Sequence, residues 1–133
     1  MKIEDQVCSL LLAKQLKELE VKQDSLWHWD IKYESIRIGK EQSEYGHDLR
    51  DYASAFTCAE LGEVLPQYHE TRDRMLTIVK DEHSNGRWWA GYSDADLSSE
   101  ISAQARTLAD VLAKLLCYLL ENKLMTNQNK ELT

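Results

Sequence analysis

Glycine, cysteine and positive charge are all scarce in this 133-residue chain, and each scarcity removes a class of function. The five glycines stand apart at Gly39, Gly46, Gly62, Gly86 and Gly91, so no glycine run can cradle a phosphate. The Gly-x-Ser-x-Gly turn of serine hydrolases is also missing. The three cysteines, Cys8, Cys58 and Cys117, are odd in number and widely spaced. They fit neither a disulfide framework nor a metal knuckle and read as reduced thiols. Sixteen Lys and Arg against 23 Asp and Glu leave a net charge of −7, the opposite of the basic surface that releases counterions from a phosphate backbone. No nucleic acid is expected as a partner. No stretch approaches the roughly 18 apolar residues of a membrane span. Glu4 and Asp5 interrupt the place where a secretory signal would be apolar. A cytoplasmic protein with no membrane partner is the expectation.

Histidine adds no metal signature. His28, His47, His69 and His83 form no i, i+4 pair, no HExxH and no set with cysteine at ligand spacing, so neither a metal nor a cofactor is expected. His47 beside Asp48 and His69 beside Glu70 lie in polar stretches where solvation accounts for them. The acid pairs Asp48/Asp51 and Asp94/Asp96 sit in segments that define no pocket.

What is present is the composition of an ordinary globular domain, 43% hydrophobic and 29% charged, long enough for one core. Residues 1–133 therefore read as a single domain. Its acidity is concentrated: between Glu41 and Asp73 eight carboxylates stand against Arg50 and Arg72 alone, which accounts for −6 of the net −7. A solvated acidic face explains this, and docking to a basic partner or mimicry of a nucleic-acid backbone is the sharper alternative.

Helix and strand periods alternate along the chain. Cys8, Leu12, Leu16 and Leu19 recur at helical spacing, with Lys14, Lys17 and Glu18 opposite, giving a helix over about 7–20. From Ser25 to Ile38 the period is two, which predicts a strand with a bend or hairpin turn near Glu34 and Ser35. Residues 39–54 are polar and aperiodic and read as a loop. Phe56 to Pro66, F-T-C-A-E-L-G-E-V-L-P, spells a complete helix over about 57–65. Thr57 and Glu60 have capping-box spacing, Phe56 and Leu61 form the hydrophobic staple, Gly62 weakens the helix and Pro66 stops it. Strands follow at about 75–80, 87–92 and 100–105, the first two joined by Ser84-Asn85-Gly86, whose Asn-Gly step favours a hairpin. Ser93 to Ser99 reads as a second loop. Thr107 opens the last helix, about 107–122, with Asp110 as a weaker capping partner, an apolar face of Leu108, Val111, Leu112, Leu115, Leu119 and Leu120, and Asp110, Lys114 and Glu121 opposite. Residues 126–133 read as a frayed tail. The fold class is α+β, with three helices packed on one face of a mainly antiparallel sheet of about four strands.

Two residue sets carry candidate chemistry. Trp27 and Trp29 share a strand face, whereas Trp88 and Trp89 are adjacent and point to opposite faces. These four either fill the sheet–helix interface or line an open aromatic surface for a ligand. Cys58 stands at a helix start, a setting that lowers a thiol's pKa, but Glu60 beside it opposes a thiolate. Cys117 shares a helix row with Asp110, Lys114 and Glu121. It is an accessible thiol if that row is exposed and core if the row is covered.

The ordered blocks C-S-L-L-L-A-K-Q-L-K-E-L (8–19), V-K-Q-D-S-L-W-H-W (21–29), A-F-T-C-A-E-L-G-E-V-L-P (55–66) and L-A-D-V-L-A-K-L-L-C-Y-L-L-E-N-K-L-M (108–125) resemble a family of small uncharacterised proteins encoded in phages, prophages and bacterial genomes. The likeness covers about half the chain and implies an intracellular, phage-associated protein with no assigned catalytic residues. Glu20 and Lys123 stand where the family pattern favours glycine, which weakens the expectation of left-handed caps at these two helix ends. The leading functional expectation is a non-enzymatic domain that binds a protein partner or a second copy of itself. A ligand- or peptide-binding module built on Trp27, Trp29, Trp88 and Trp89 is the alternative, and a cysteine-dependent enzyme centred on Cys58 is a third.

Overall fold

The computed structural model describes residues 2–38, 52–67, 74–81, 86–93 and 101–125. A 3-10 turn, Ile3–Asp5, leads into Val7, which forms an isolated antiparallel bridge with Thr57. Helix α1 spans Leu10–Glu18, α2 spans Cys58–Val64 and α3 spans Leu108–Glu121. Strands β1 (Trp27–Asp30), β2 (Ser35–Ile38) and β3 (Tyr52–Ser54) form one antiparallel sheet in the order β2-β1-β3. Strands β4 (Met75–Asp81), β5 (Arg87–Ser93) and β6 (Ser102–Ala105) form a second, in the order β4-β5-β6. The class is α+β, but two three-stranded sheets replace the single four-stranded sheet expected from the alternation.

Local chemistry explains the change. The expected strand over 25–38 breaks after Asp30, whose Oδ1 accepts the backbone N–H groups of Lys32 (3.1 Å) and Tyr33 (3.2 Å) and so closes a turn on itself. Glu34 completes the reversal at φ 52°, and Ser35 then pairs with Asp30. The partner on the other side of β1 is β3, inside the stretch 39–54 expected to be a loop. Three residues, Tyr-Ala-Ser, are too few to show a period. The remainder of that loop, the Ser84-Asn85 turn, most of the loop from Ser93 to Ser99 and the tail 126–133 lie outside the described residues. So do His47, His69, His83 and the acid pairs Asp48/Asp51 and Asp94/Asp96.

Capping sets the helix boundaries. The α2 box is complete: Thr57 Oγ1 accepts the Glu60 N–H at 3.2 Å, and Glu60 Oε1 accepts the Thr57 N–H at 2.9 Å. Such a cap contributes about 1 kcal/mol. Ser25 Oγ donates to the same carboxylate at 2.8 Å, so the box also ties the entry of β1 to α2. Ser9 caps α1 through Leu12 N–H, which moves the helix start to Leu10 and leaves Val7 and Cys8 in extended chain. Both α1 and α3 end in Schellman motifs. Val21 N–H donates to Leu16 O and Glu20 N–H to Lys17 O, and the last turn of α3 repeats this with Leu124 to Leu119 and Lys123 to Leu120. Glu20 (φ 64°) and Lys123 (φ 57°) hold the left-handed positions although neither is glycine. Each accepts about 1 kcal/mol of backbone strain while buried Val21 and Met125 anchor the chain beyond.

The core centres on α3, which packs against α1, α2, β5 and β6, while α1 also packs on β3. Ala109, Val111, Leu112, Ala113, Leu115, Leu116, Cys117 and Leu119 are all buried. Cys117 is thus core, despite its polar neighbours on the helical wheel. Only a narrow row through Lys114, Tyr118 and Glu121 stays exposed along the middle of the helix.

Candidate functional site

The four tryptophans divide between the two sheets. Trp29 is 9% exposed, and its indole N–H donates to the Cys8 carbonyl at 2.8 Å, so it fastens β1 to the approach of α1. Trp27, two residues away on the same face, is partly buried against the same core. Trp88 also packs on the core and carries Lys80 Nζ 5.7 Å from its ring centroid, a cation–π contact. Trp89 points to the outer face of the second sheet. A Cβ built on Gly91 would lie 3.0 Å from Trp89 Cζ2, so the indole lies across the Gly91 backbone. Register puts Val79 opposite Trp89 and Met75 four residues along β4 on the same face, both exposed. The multi-tryptophan surface considered from the sequence is therefore not assembled. Trp29 is core, Trp27 and Trp88 are partly core, and Trp89 stands apart.

A second group lies on the opposite face of β1. Cross-strand pairing sets His28 beside Ser54 and Asp30 beside Tyr52, and the four side chains are buried together. Asp30 is engaged in the turn described above. Closed to solvent, the group is a buried polar cluster between β1 and β3.

The thiols are held protonated. Burial pushes Cys8 up to about 12, with the Asp110 carboxylate and Cys117 adding to the effect. Burial does the same to Cys117, also to about 12, with Glu121 contributing. Cys58 is raised by burial too, partly offset by its own N–H at the start of α2. A nucleophilic cysteine needs the reverse shift. Among the described residues no three His, Cys, Asp or Glu side chains converge to hold a metal ion.

Among the described residues a groove of about 510 Å³ lies between α1 and α3. Ser9, Leu11, Leu12 and Gln15 form one wall, and Asp110, Lys114, Cys117, Tyr118 and Glu121 the other. Leu11 at 70% and Tyr118 at 37% exposure supply apolar surface at its edges. Asp110 joins the two helices at one end: its Oδ1 accepts the Ser9 N–H at 2.7 Å while its own N–H donates to Thr107 Oγ1 at 3.1 Å. A carboxylate placed at two helix N-termini is also stabilised by both dipoles. The capping pair expected at Thr107 and Asp110 is thus half made, because the carboxylate serves α1 instead. Lys114 Nζ donates to Gln104 O at 3.0 Å and has two donors left.

Sequence reasoning had placed Asp110, Lys114, Cys117 and Glu121 on one row, which is the α3 wall. It missed Leu11 and Tyr118. Leu11 sits inside an apolar run where nothing marks it as the exposed member, and pairing of α1 with α3 is visible only in three dimensions. No helix among the described residues is long and apolar enough to cross a membrane. No protein-family model, curated protein or solved structure matches the chain.

Proposed function

We propose that this chain is a phage- or prophage-associated cytoplasmic domain that acts without catalysis, by binding a protein partner or a second copy of itself through the α1–α3 groove. The resemblance of the four sequence blocks supports the phage association. The exposed apolar pair Leu11 and Tyr118, set on the facing helices α1 and α3, carries the proposed mode of action. Protonated thiols argue against covalent catalysis as its work. A photo-crosslinking amino acid placed at position 11 or 118 in the producing cell tests this. A discrete protein adduct is expected from both sites and not from position 63, an exposed site on α2. Adducts from neither groove site would end the proposal.

A second reading is favoured by the seat of Trp89 on Gly91, which leaves a half-buried indole on the sheet face that carries the exposed Val79. On that reading a small ligand or peptide stacks on the outer face of the second sheet. Acrylamide quenching gives the check: Trp89→Phe should remove most of the quenchable emission, and unchanged quenching would discard the surface.

A further inference from the structure

We infer that the occupant of the groove is a second copy of this chain, with the two α3 helices antiparallel about a two-fold axis near Tyr118. The inference rests on the groove reading above and narrows it to one partner. Among the fourteen residues of α3, the outward row in its middle and last turns is Lys114, Tyr118 and Glu121. Lys114 and Glu121 are separated by two helical turns, about 10 Å, and therefore share a face. They lie nearly symmetrically about Tyr118. Antiparallel self-pairing centred there sets each Lys114 opposite the other copy's Glu121, twice over, and brings the two Tyr118 rings together at the axis. Parallel pairing would set Lys114 against Lys114 and Glu121 against Glu121. An isologous interface requires this self-complementarity, whereas an unrelated partner does not.

The energetics assign different jobs to the two kinds of residue. Each copy carries a net charge of −7, so the copies repel at long range. Leu11 and Tyr118 provide the apolar contact, and the two reciprocal ion pairs select direction and register. Lys114 is already held near the row by its bond to Gln104 O, which limits the side-chain freedom lost on pairing. Glu121 sits in the last turn of α3, which contains no basic residue, so its carboxylate faces the negative end of the helix dipole. A partner's ammonium relieves that placement.

Charge reversal with complementation tests the inference on the full chain. In sedimentation velocity the wild type is expected to run as a dimer. Lys114→Glu and Glu121→Lys should each weaken dimerisation roughly tenfold or more, since each sets two like charges against one another. An equimolar mixture of the two variants should dimerise again, because every facing pair then has opposite signs, and the double variant should dimerise alone. Glu121→Lys suits the helix terminus, so loss of dimer in that variant is not attributable to unfolding. A wild type that stays monomeric at millimolar concentration overturns the inference, as do dimeric single variants or a mixture that remains monomeric. A photo-adduct from position 11 to a different protein, with a monomeric wild type, would leave the groove reading standing and remove self-pairing alone.

Discussion

In the first sheet His28 and Asp30 are 3% and 0% exposed, whereas in the second Met75, Ile78 and Val79 are 48%, 41% and 46% exposed. The same alternating pattern underlies both sheets, yet one conceals ionisable groups and the other displays apolar ones. The difference lies in what covers them. Both faces of β1 are covered: Trp29 on one is fastened to Cys8 ahead of α1, and His28 and Asp30 on the other are buried beside Ser54 and Tyr52 of β3. Strand β4 is an edge of its sheet, and α3 packs chiefly on β5 and β6 beyond it. Burial is thus decided by the third dimension, and a two-residue period says only that a strand has two faces.

Truncating one tryptophan from each sheet should separate the two most clearly. Trp29→Ala is expected to cost about 3–5 kcal/mol of stability, while Trp89→Ala should cost less than about 1 kcal/mol. Urea unfolding would measure both, and equal losses would erase the distinction. Alkaline pH gives the next largest effect, on the concealed side. Cys8 and Cys117 keep their protons to about 12 when folded, against an ordinary value of 9.0. The unfolded chain gives them up first, so their contribution is whole below pH 9.0 and disappears as pH rises toward 12. The expected loss approaches roughly 2–3 kcal/mol for Cys8 near pH 11, and is smaller for Cys117, which lines the open groove. Urea midpoints at neutral and alkaline pH should fall less steeply for Cys117→Ala than for the wild type.

Gly91→Ala probes the displayed sheet. The new methyl carbon would stand 2.5 Å from Ile101 O and 2.9 Å from Ser102 Cβ, so β6 must shift, at a cost of about 1–3 kcal/mol. A neutral result in thermal unfolding would mean that the β5–β6 seam yields readily. The smallest effects belong to the helix ends that lead out of the core. Glu20→Gly and Lys123→Gly should each raise stability by up to about 1 kcal/mol, because glycine occupies a left-handed cap without strain. Calorimetry of the two variants and their combination would show whether the gains add.

Much of this fold can be read from short-range chemistry. The α2 box is complete within Phe56–Pro66, and the Thr107 cap is local as well, so both helices were legible. The β4–β5 hairpin announces itself by alternation about Gly86, which adopts φ 74°. The division into two sheets was not legible, because it depends on a carboxylate at Asp30 closing its own turn and on three residues at Tyr52–Ser54 joining β1. The caps at Glu20 and Lys123 ran against residue preference, since bonds to Leu16 and Leu119 outweigh the strain of a non-glycine residue. Of the candidate site, the α3 row could be traced on a helical wheel, but its partner wall on α1 lies about a hundred positions away in sequence.

That separation has a consequence for how the protein comes into being. The Ser9 N–H waits for a carboxylate 101 residues downstream. On the ribosome α1 emerges before α3, and it carries Leu12 and Leu16, which pack in the core that α3 shares. Folding of this core therefore awaits the synthesis of α3, and for that interval the nascent chain exposes an apolar helix to whatever surrounds it. Truncation a few residues before Asp110 would leave a polypeptide with most of its sequence and little of its structure.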